Sequence, residues 1–342
     1  MFDANMSEKL SALIVGCGNI AGGYDDGGAN PDAVLTHAGA YRMHNGFEIS
    51  ACIDPDDQRR QYFMKRWNIG QGFADLTSCA RSGLRFDVVS LCSPNASHRA
   101  ALMELLDMPV RCVFAEKPLT GHVAGSQEII DAYAAKNISL AVNYLRRWAP
   151  EMKRLRSDIA AGKWGRVRGA SGSYAKGLFN CGSHLIDLIH FLVGTMSPRD
   201  VFSRVDDFTS DDPTLGVRLE FSNGAPVILM GKDSRDHFSF DLTLIMEKGE
   251  VVLDDLGRRI CYRPAVAHPL FRSQITPAVV DPVDTGFDRA MLAALANIED
   301  HLSTGAELLS NGRNAVQSER TCSEIMTLVG ENALCRNEGE RM

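Results

Sequence analysis

The stretch Leu10-Ser-Ala-Leu-Ile-Val-Gly-Cys-Gly-Asn-Ile-Ala21 joins a short apolar run to a glycine-rich turn. The run Leu10–Val15 predicts a buried strand. Small residues follow where a dinucleotide fold needs a tight turn, close approach of backbone to a pyrophosphate and close helix packing. The stretch therefore predicts an N-terminal Rossmann fold, and the residues expected to hold the dinucleotide are Gly16, Gly18, Asn19, Ile20 and Ala21.

The next predicted strand, Phe47–Asp54, ends in a carboxylate. An acid there can accept the ribose hydroxyls of NAD and repels the additional phosphate of NADP. Asp54 lies farther from the glycines than the usual ~20 residues, because residues 24–36 insert a glycine-rich loop. Arg59 and Arg60 follow closely and could hold a 2′-phosphate. The pattern favours NAD and leaves NADP open.

His37 lies in that inserted segment. Long loops at strand ends often form the walls of binding sites. We therefore expect His37 to contact a substrate; the alternative is an ordinary solvated histidine.

Two further predicted strands, Phe86–Cys92 and Val110–Ala115, lead into polar residues. The carboxyl ends of parallel strands are where open α/β sheets bind ligands. Pro118 fixes its own φ and keeps Lys117 out of helical geometry, so a rigid backbone aims the ammonium group. The residues expected at this cofactor edge are Ser93, Pro94, Asn95, His98, Glu116 and Lys117. His98 could equally cap or pack the helix that we predict from Arg99.

Strands and helices alternate up to a strand at residues 138–143, which predicts a doubly wound parallel sheet. The alternation then stops, so we place a boundary at Tyr144 between domains 1–144 and 145–342. Short alternating segments separated by turns follow Gly165. They predict an α+β domain on an open, mostly antiparallel sheet, with one face for helices and the other for a partner. Late helices at 284–302 and 315–329 should pack back on the body.

A helix predicted over Asn180–Gly194 interrupts that sheet. Asn180 and His184 are four residues apart and His184 and Asp187 three apart, so their side chains lie near one another. A metal site is not expected, because His184 and His190 are six residues apart and poorly placed for shared ligation. The alternative is that His184 is simply a buried, satisfied histidine.

Composition describes an ordinary globular chain of 342 residues with 36 basic and 43 acidic side chains and a net charge of −7. This balance, without a long basic run, argues against nucleic acid or anionic membrane as partners. Nine cysteines are scattered singly, as is typical of reduced thiols in a cytoplasmic enzyme. Residues 1–9 do not have the order of a signal peptide, and no apolar run approaches the ~18 residues of a membrane span.

Taken in order, these features resemble the Gfo/Idh/MocA family of NAD(P)-dependent sugar oxidoreductases over nearly the whole chain. Five features in one order are more specific than any single one. The matching segments are Gly16–Ala21, Ser93–Asn95 with His98, Glu116–Pro118, residues 143–150 and Asn180-x-x-x-His184-x-x-Asp187.

The resemblance implies that the second domain forms a homodimer or homotetramer through the open face of its sheet. It also implies that Lys117 and His184 act on a substrate hydroxyl, with His184 as base and Lys117 stabilising the alkoxide. The family commonly has aspartate where this chain has Asn180. Asparagine can orient a hydroxyl but cannot take up a proton.

Within the family, the segments Gly22–Asp25, Thr36–Ala40 and Asn180–His184 resemble members that act on nucleotide-activated amino sugars in glycan or antibiotic precursor biosynthesis. Cationic side chains suit a substrate diphosphate. The residues expected on the substrate side are His37, Lys117, Tyr144, Arg146, Arg147, Lys176, Asn180 and His184.

Two other functions stay open. One is a non-catalytic dinucleotide-binding redox sensor, in which Asn180 marks lost chemistry. The other is an enzyme that uses transient oxidation by NAD to drive elimination or hydrolysis.

Overall fold

A computed structural model describes residues 9–26 and 32–339, with side chains up to residue 330. The chain divides into two compact units. The first unit contains Met1–Trp148 and Asp288–Val316, and the second contains Ala149–Phe287 and Gln317–Met342. The first segment of the first unit therefore ends at Trp148, four residues after the expected boundary, and a late segment returns to it.

The first unit is built on a six-stranded sheet with the order β3-β2-β1-β4-β5-β6. Every neighbouring pair is parallel. The strands are β1 Leu10–Val15, β2 Phe47–Ile53, β3 Gln71–Phe73, β4 Phe86–Leu91, β5 Val110–Ala115 and β6 Ser139–Val142. The doubly wound parallel sheet is confirmed. Its order reverses between β1 and β4, which places the ligand edge at their carboxyl ends.

Five helices connect these strands: α1 His37–Met43, α2 Asp57–Trp67, α3 Leu76–Arg81, α4 Asn95–Leu105 and α5 Val123–Ala135. The prediction that His37 lies in a loop was wrong, since it begins α1. Thr36 caps this helix by accepting a hydrogen bond from the Gly39 amide at 3.0 Å. Residues 27–31 of the predicted insertion lie outside the described residues.

Helix α4 also begins earlier than the predicted start at Arg99. Pro94 precedes its first residue, with φ −60° and ψ 145°. Proline is extended here and has no amide hydrogen to satisfy, so the helix can start directly after it. Asn95 and His98 consequently lie on α4.

The second unit is built on a nine-stranded sheet, as the described residues show it. Its strands are β7 Val167–Ala175, β8 Met196–Thr209, β9 Asp212–Phe221, β10 Pro226–Lys232, β11 Phe240–Met246, β12 Gly249–Asp254, β13 Arg259–Ala267, β14 Ile275–Pro277 and β15 Val283–Asp284. They follow the order β14-β13-β12-β11-β7-β10-β9-β8, with β15 beside β13. Only β7 and β10 are parallel among these pairs. The mostly antiparallel sheet is confirmed.

The helices α6 Pro150–Ala160 and α7 Ser183–Leu192 belong to this unit. A π-helical turn, Leu178–Gly182, leads into α7. Leu229 and Leu242 are buried on one face of the sheet, the face to which their neighbour Gly172 on β7 also points. Leu185 of α7 packs on this face, since a Cβ on Gly172 would lie 3.2 Å from Leu185 Cδ2.

The two late helices are α8 Ala290–Thr304 and α9 Gly312–Gly339. Helix α8 starts after the predicted residue 284, because Asp284 lies in β15 and Gly286 has a φ of 75°. In the first unit, the Trp148 indole donates to Asn297 Oδ1 at 3.0 Å. Over residues 9–26 and 32–339, the helices are too short or too polar to cross a membrane.

Candidate functional site

The glycine turn after β1 is shaped by its own packing. Gly16 has a φ of +89°, and a Cβ there would lie 2.7 Å from the Ser93 amide nitrogen and 2.8 Å from the Cys92 carbonyl carbon. Only glycine fits that position. A Cβ on Gly22 would lie 2.3 Å from the Trp67 indole nitrogen. The absence of a side chain lets the turn pack closely against the end of β4 at Gly16 and against α2 at Gly22.

Gly18 is different, because a Cβ there would meet no protein atom within 4 Å. The protein itself does not need glycine at this position, whereas close approach by a pyrophosphate does. An adjoining cleft of about 360 Å³ is lined by residues of the turn and of α2: Cys17, Gly18, Asn19, Gly22, Gly23, Asp26, Arg59, Tyr62, Phe63, Arg66 and Trp67. These residues fit a bound dinucleotide. Ile20 is half-buried and Ala21 fully buried beside the turn.

Asp54, at the end of β2, is buried under this turn. Its Oδ2 accepts the Cys17 amide and its Oδ1 the Asp56 amide, each at 2.9 Å. The Arg60 guanidinium donates to the Asp54 carbonyl oxygen at 2.6 Å, so it is already hydrogen-bonded within the protein. The Arg59 side chain is 53% exposed and lies 3.4 Å from Asp54 Oδ1. Arg59 is therefore better placed than Arg60 to face a 2′-phosphate, and a ribose contact by Asp54 stays a prediction.

His98 ties two loops of the cofactor edge together. Its ring is fully buried, with Nδ1 2.9 Å from the Pro118 carbonyl oxygen and Nε2 2.9 Å from that of Ser93. This placement fits the packing alternative rather than direct contact with a dinucleotide. Pro94 and Asn95 are exposed, and Ser93 accepts from the Ser97 hydroxyl at 2.8 Å.

Glu116 is anchored at the end of β5. His37 Nε2 lies 3.0 Å from its Oε1, and the Asn143 amide donates to the same oxygen at 2.7 Å. Burial raises the pKa of Glu116, but the hydrogen bond and charge interaction with His37, the bond from Asn143 and the charge of Lys117 outweigh it and hold the pKa below its ordinary value. Glu116 is thus a fixed carboxylate beside Lys117. Lys117 is half-buried, and its bond to Pro118 is cis.

The predicted substrate contact of His37 does not fit this placement. His37 is fully buried, and both ring nitrogens lie within 3.0 Å of protein oxygens, on Glu116 and Ser90. A substrate has no ring nitrogen left to bind.

Three other substrate-side predictions fall on the last residues of the first segment. Tyr144 is 1% and Arg147 5% exposed, and Arg147 donates to the Leu309 carbonyl oxygen at 3.3 Å. Arg147 is therefore buried and bonded to backbone of its own unit, and a contact with a substrate diphosphate stays a prediction. Arg146 is half-buried.

The second unit brings Lys176, Asn180 and His184 together around the start of α7. Lys176 is exposed at a φ of 68°, with Nζ 5.7 Å from the centre of the Phe208 ring. The Asn180 amide donates to the Lys176 carbonyl oxygen at 3.0 Å. His184 is half-buried, and Asp187 is buried and accepts from the Ser318 hydroxyl at 3.1 Å.

Two carboxylates of the β8–β9 hairpin hold this segment, and sequence reasoning missed both. Asp212 accepts the amides of Phe179 at 2.8 Å and Asn180 at 2.9 Å. Asp207 accepts the Lys176 amide at 2.9 Å. Burial raises the pKa of Asp207, but hydrogen bonds, first that of Thr214, lower it below its ordinary value. Both acids are remote in sequence from α7, and no motif marks them.

Among the described side chains, no group of three or more histidines, cysteines or acids could hold a metal ion.

The fold and turn define a dinucleotide-binding Rossmann unit. Residues 10–144 match the model of the oxidoreductase family GFO_IDH_MocA, NAD-binding Rossmann fold. The match covers the first sheet and its helices, so the predicted NAD-binding Rossmann fold of this family is confirmed for residues 10–144.

Two curated relatives align with part of the chain. A protein of Amycolatopsis mediterranei, named as a candidate UDP-kanosamine synthase oxidoreductase subunit, is 31% identical over 190 residues, or 50% of each chain. The scyllo-inositol 2-dehydrogenase (NADP⁺) of Bacillus subtilis is 28% identical over 130 residues, or 38% of each. The chain spans about half the length, or less, of these relatives.

A solved structure matches over nearly the whole chain. The WlbA dehydrogenase of Bordetella pertussis, in complex with NADH and UDP-GlcNAcA, superposes with a TM-score of 0.77 at 18% identity. The match covers 96% of this chain and 98% of that one. At this identity the likeness shows the fold, which extends through both units.

Proposed function

We propose that the chain is an NAD-dependent oxidoreductase that transfers hydride between a nicotinamide and a secondary hydroxyl or keto group of a sugar. The observation that carries the proposal is Glu116 at the end of β5, bonded to His37 and Asn143 and followed by Lys117. A fixed carboxylate followed by a lysine at the end of this strand supports the proposal, because the carboxyl ends of parallel strands form the ligand edge of an NAD-binding fold.

The catalytic roles follow from what each side chain can do. Bound NAD would supply the hydride acceptor. Lys117 would stabilise negative charge on the substrate oxygen, since its ammonium is aimed by rigid backbone. His184 would take the hydroxyl proton, because an imidazole titrates near neutral pH. Asn180 would orient the substrate or His184 without moving a proton.

We propose a nucleotide-activated sugar, such as an amino sugar of glycan or antibiotic precursor biosynthesis, as the substrate. Support comes from the names of similar proteins, one a UDP-kanosamine synthase subunit and one bound to UDP-GlcNAcA. Within this chain, Lys176 is an exposed cation beside Asn180, which suits a diphosphate. Arg146 and Tyr144 stay proposed substrate contacts.

The test mixes the protein with NAD and a panel of UDP-N-acetylglucosamine, UDP-glucose, glucose and inositols, and follows the absorbance of reduced nicotinamide. Turnover of the UDP sugars above the free sugars is expected. Tight NAD binding without any turnover would instead support a redox sensor. Altered sugar without net reduced nicotinamide would support elimination or hydrolysis.

Lys117→Met and His184→Ala should each lower kcat by about two orders of magnitude or more, because electrostatic and general-base assistance are lost. Matched controls are Lys153→Met and His237→Ala, which change exposed side chains and should keep wild-type rates. Wild-type kcat in either site variant would remove that residue from the mechanism.

A further inference from the structure

Behind Glu116 lies a chain of hydrogen-bonding side chains that we call the buried relay: Tyr41, Ser90, His37, Glu116 and Asn143. The Tyr41 hydroxyl is 2.9 Å from Ser90 Oγ, and Ser90 Oγ is 2.9 Å from His37 Nδ1. Tyr41, Ser90 and His37 are at most 1% exposed. The relay therefore connects the interior of the first unit to the carboxylate beside Lys117.

With a neutral His37 ring, the protons of the relay have one consistent direction. The ionised Glu116 carboxylate only accepts, so His37 Nε2 must carry the hydrogen of their 3.0 Å bond. In a neutral ring Nδ1 then accepts, and Ser90 donates its single proton to it. Ser90 Oγ in turn accepts from Tyr41, whose pKa is raised by burial so that the hydroxyl keeps its proton.

We infer that His37 is a positioning residue: held by Ser90 as the Nε2–H tautomer, it keeps Glu116 ionised and fixed in orientation, and so preserves the carboxylate–ammonium pair with Lys117. The inference rests on the proposed role of Lys117 for its catalytic consequence. The state of Glu116 itself can be measured without any substrate.

The charged and titratable groups around Glu116 support this role. Lys117 follows it on the chain, and its charge lowers the pKa of the carboxyl. From the end of β4, Cys92 has its pKa raised by burial and by the charge of Glu116, so it stays a neutral thiol. His37 is therefore the one titratable donor to Glu116 among the bonds described, with Asn143 as its neutral companion.

The test uses the full chain with ¹³C-labelled glutamate carboxyls, the Glu116 signal being assigned by its loss in Glu116→Gln. In wild type, Glu116 should stay ionised to below its ordinary pKa of 4.5. His37→Leu removes a donor to a buried carboxylate and should raise the midpoint by about one unit or more. His37→Gln, whose amide can donate, should recover part of the shift.

Two further variants guard against a merely structural explanation. Ser90→Ala keeps the His37 ring but removes the hydroxyl that selects its Nε2–H tautomer. It should therefore raise the pH midpoint of the Glu116 titration by less than His37→Leu does. His44→Leu, at the other end of α1, should leave it unchanged. An unchanged midpoint in both His37→Leu and Ser90→Ala, or ¹⁵N signals showing both His37 nitrogens protonated at neutral pH, would overturn the inference.

Acid stability gives a second readout, which needs no activity. Because the folded pKa of Glu116 is lowered, its ionised form stabilises the fold above the ordinary value of 4.5, and this contribution is lost as the pH falls through the folded pKa. His37→Leu should therefore unfold at a higher pH than wild type. If the sugar panel yields a substrate, the acid limb of kcat should shift upward in His37→Leu with little change in KM. If it yields none, the carboxyl and ¹⁵N results still decide the state of Glu116.

Discussion

Gly16 and Gly18 lie two residues apart in one turn, but the packing of the protein itself requires glycine only at Gly16. At Gly16 the Cys92–Ser93 backbone occupies the space of a side chain, and the φ of +89° strains any other residue. At Gly18 the space is open. The first glycine serves the fold, and the second leaves room for a ligand.

This difference gives a paired prediction. Gly16→Ala should lower the free energy of unfolding by about 3 kcal/mol, from left-handed strain and overpacking. Gly18→Ala should leave it nearly unchanged but weaken NAD binding by about tenfold or more, or ~1.4 kcal/mol. Denaturant unfolding and calorimetric titration with NAD measure the two effects. Equal NAD affinity in Gly18→Ala and wild type would show that Gly18 does not face the dinucleotide.

The role of an individual residue could be predicted from the sequence where the local backbone requires that residue type. The glycines of the turn and the position of Lys117 at the end of β5 follow from short, local patterns. The partner of Glu116 did not, because His37 reaches it across 79 positions of sequence. The sequence also predicted a loop at His37. It therefore did not show that His37 is a buried helix residue whose two ring nitrogens are bonded within the protein.

At the scale of elements, the start of α7 depends on a strand rather than on its own sequence. No side chain of the segment itself caps the π-helical turn Leu178–Gly182. Instead, Asp212 at the beginning of β9 accepts two of its amides. A carboxylate there satisfies exposed donors and complements the positive end of the helix dipole.

We expect Asp212→Ala to lower the free energy of unfolding by about 1–2 kcal/mol, as for loss of a helix cap. Turnover should fall further than stability accounts for, because Asn180 loses the bond that fixes its backbone. Asp211→Ala changes the exposed neighbour and is the matched control. Chemical denaturation and kcat would be compared for the two; identical values would show that Asp212 does not organise this segment.

The sequence predicted five of the six strands of the first sheet to within one residue, and for the second sheet it predicted the pattern of short alternating strands, because such apolar patterns are local. It missed α1, α2 and α3, whose short amphipathic patterns are weak. It also could not show that β10 lies parallel to β7, since that pairing joins segments far apart in the chain.

For the whole molecule, we propose that copies associate through the open face of the nine-stranded sheet. Met230 and Ile245 lie on the side opposite the inward-facing leucines and are 46% and 42% exposed. Met230 is in register with Ser173 on β7, and Ile245 with Gly169 on the same strand. Residues of matching parity point to one face of a sheet.

The double variant Met230→Lys/Ile245→Lys should dissociate such an oligomer, since burying unpaired charge in an apolar interface is unfavourable. Sedimentation velocity should show a dimer or tetramer for wild type and a monomer for the variant. Leu270→Lys changes a side chain that is 80% exposed in the connection between β13 and β14 and should keep the wild-type state. A wild-type monomer would contradict the proposal.

The return of Asp288–Val316 to the first unit has a consequence for the order of synthesis. Val142, in the edge strand β6, donates its amide to the Ser310 carbonyl oxygen at 3.1 Å and accepts the Ser310 hydroxyl at 2.7 Å. A ribosome makes Ser310 only after every residue of Ala149–Phe287. The dinucleotide-binding unit is therefore begun first on the growing chain, but its outer strand remains uncovered until the intervening unit has been translated.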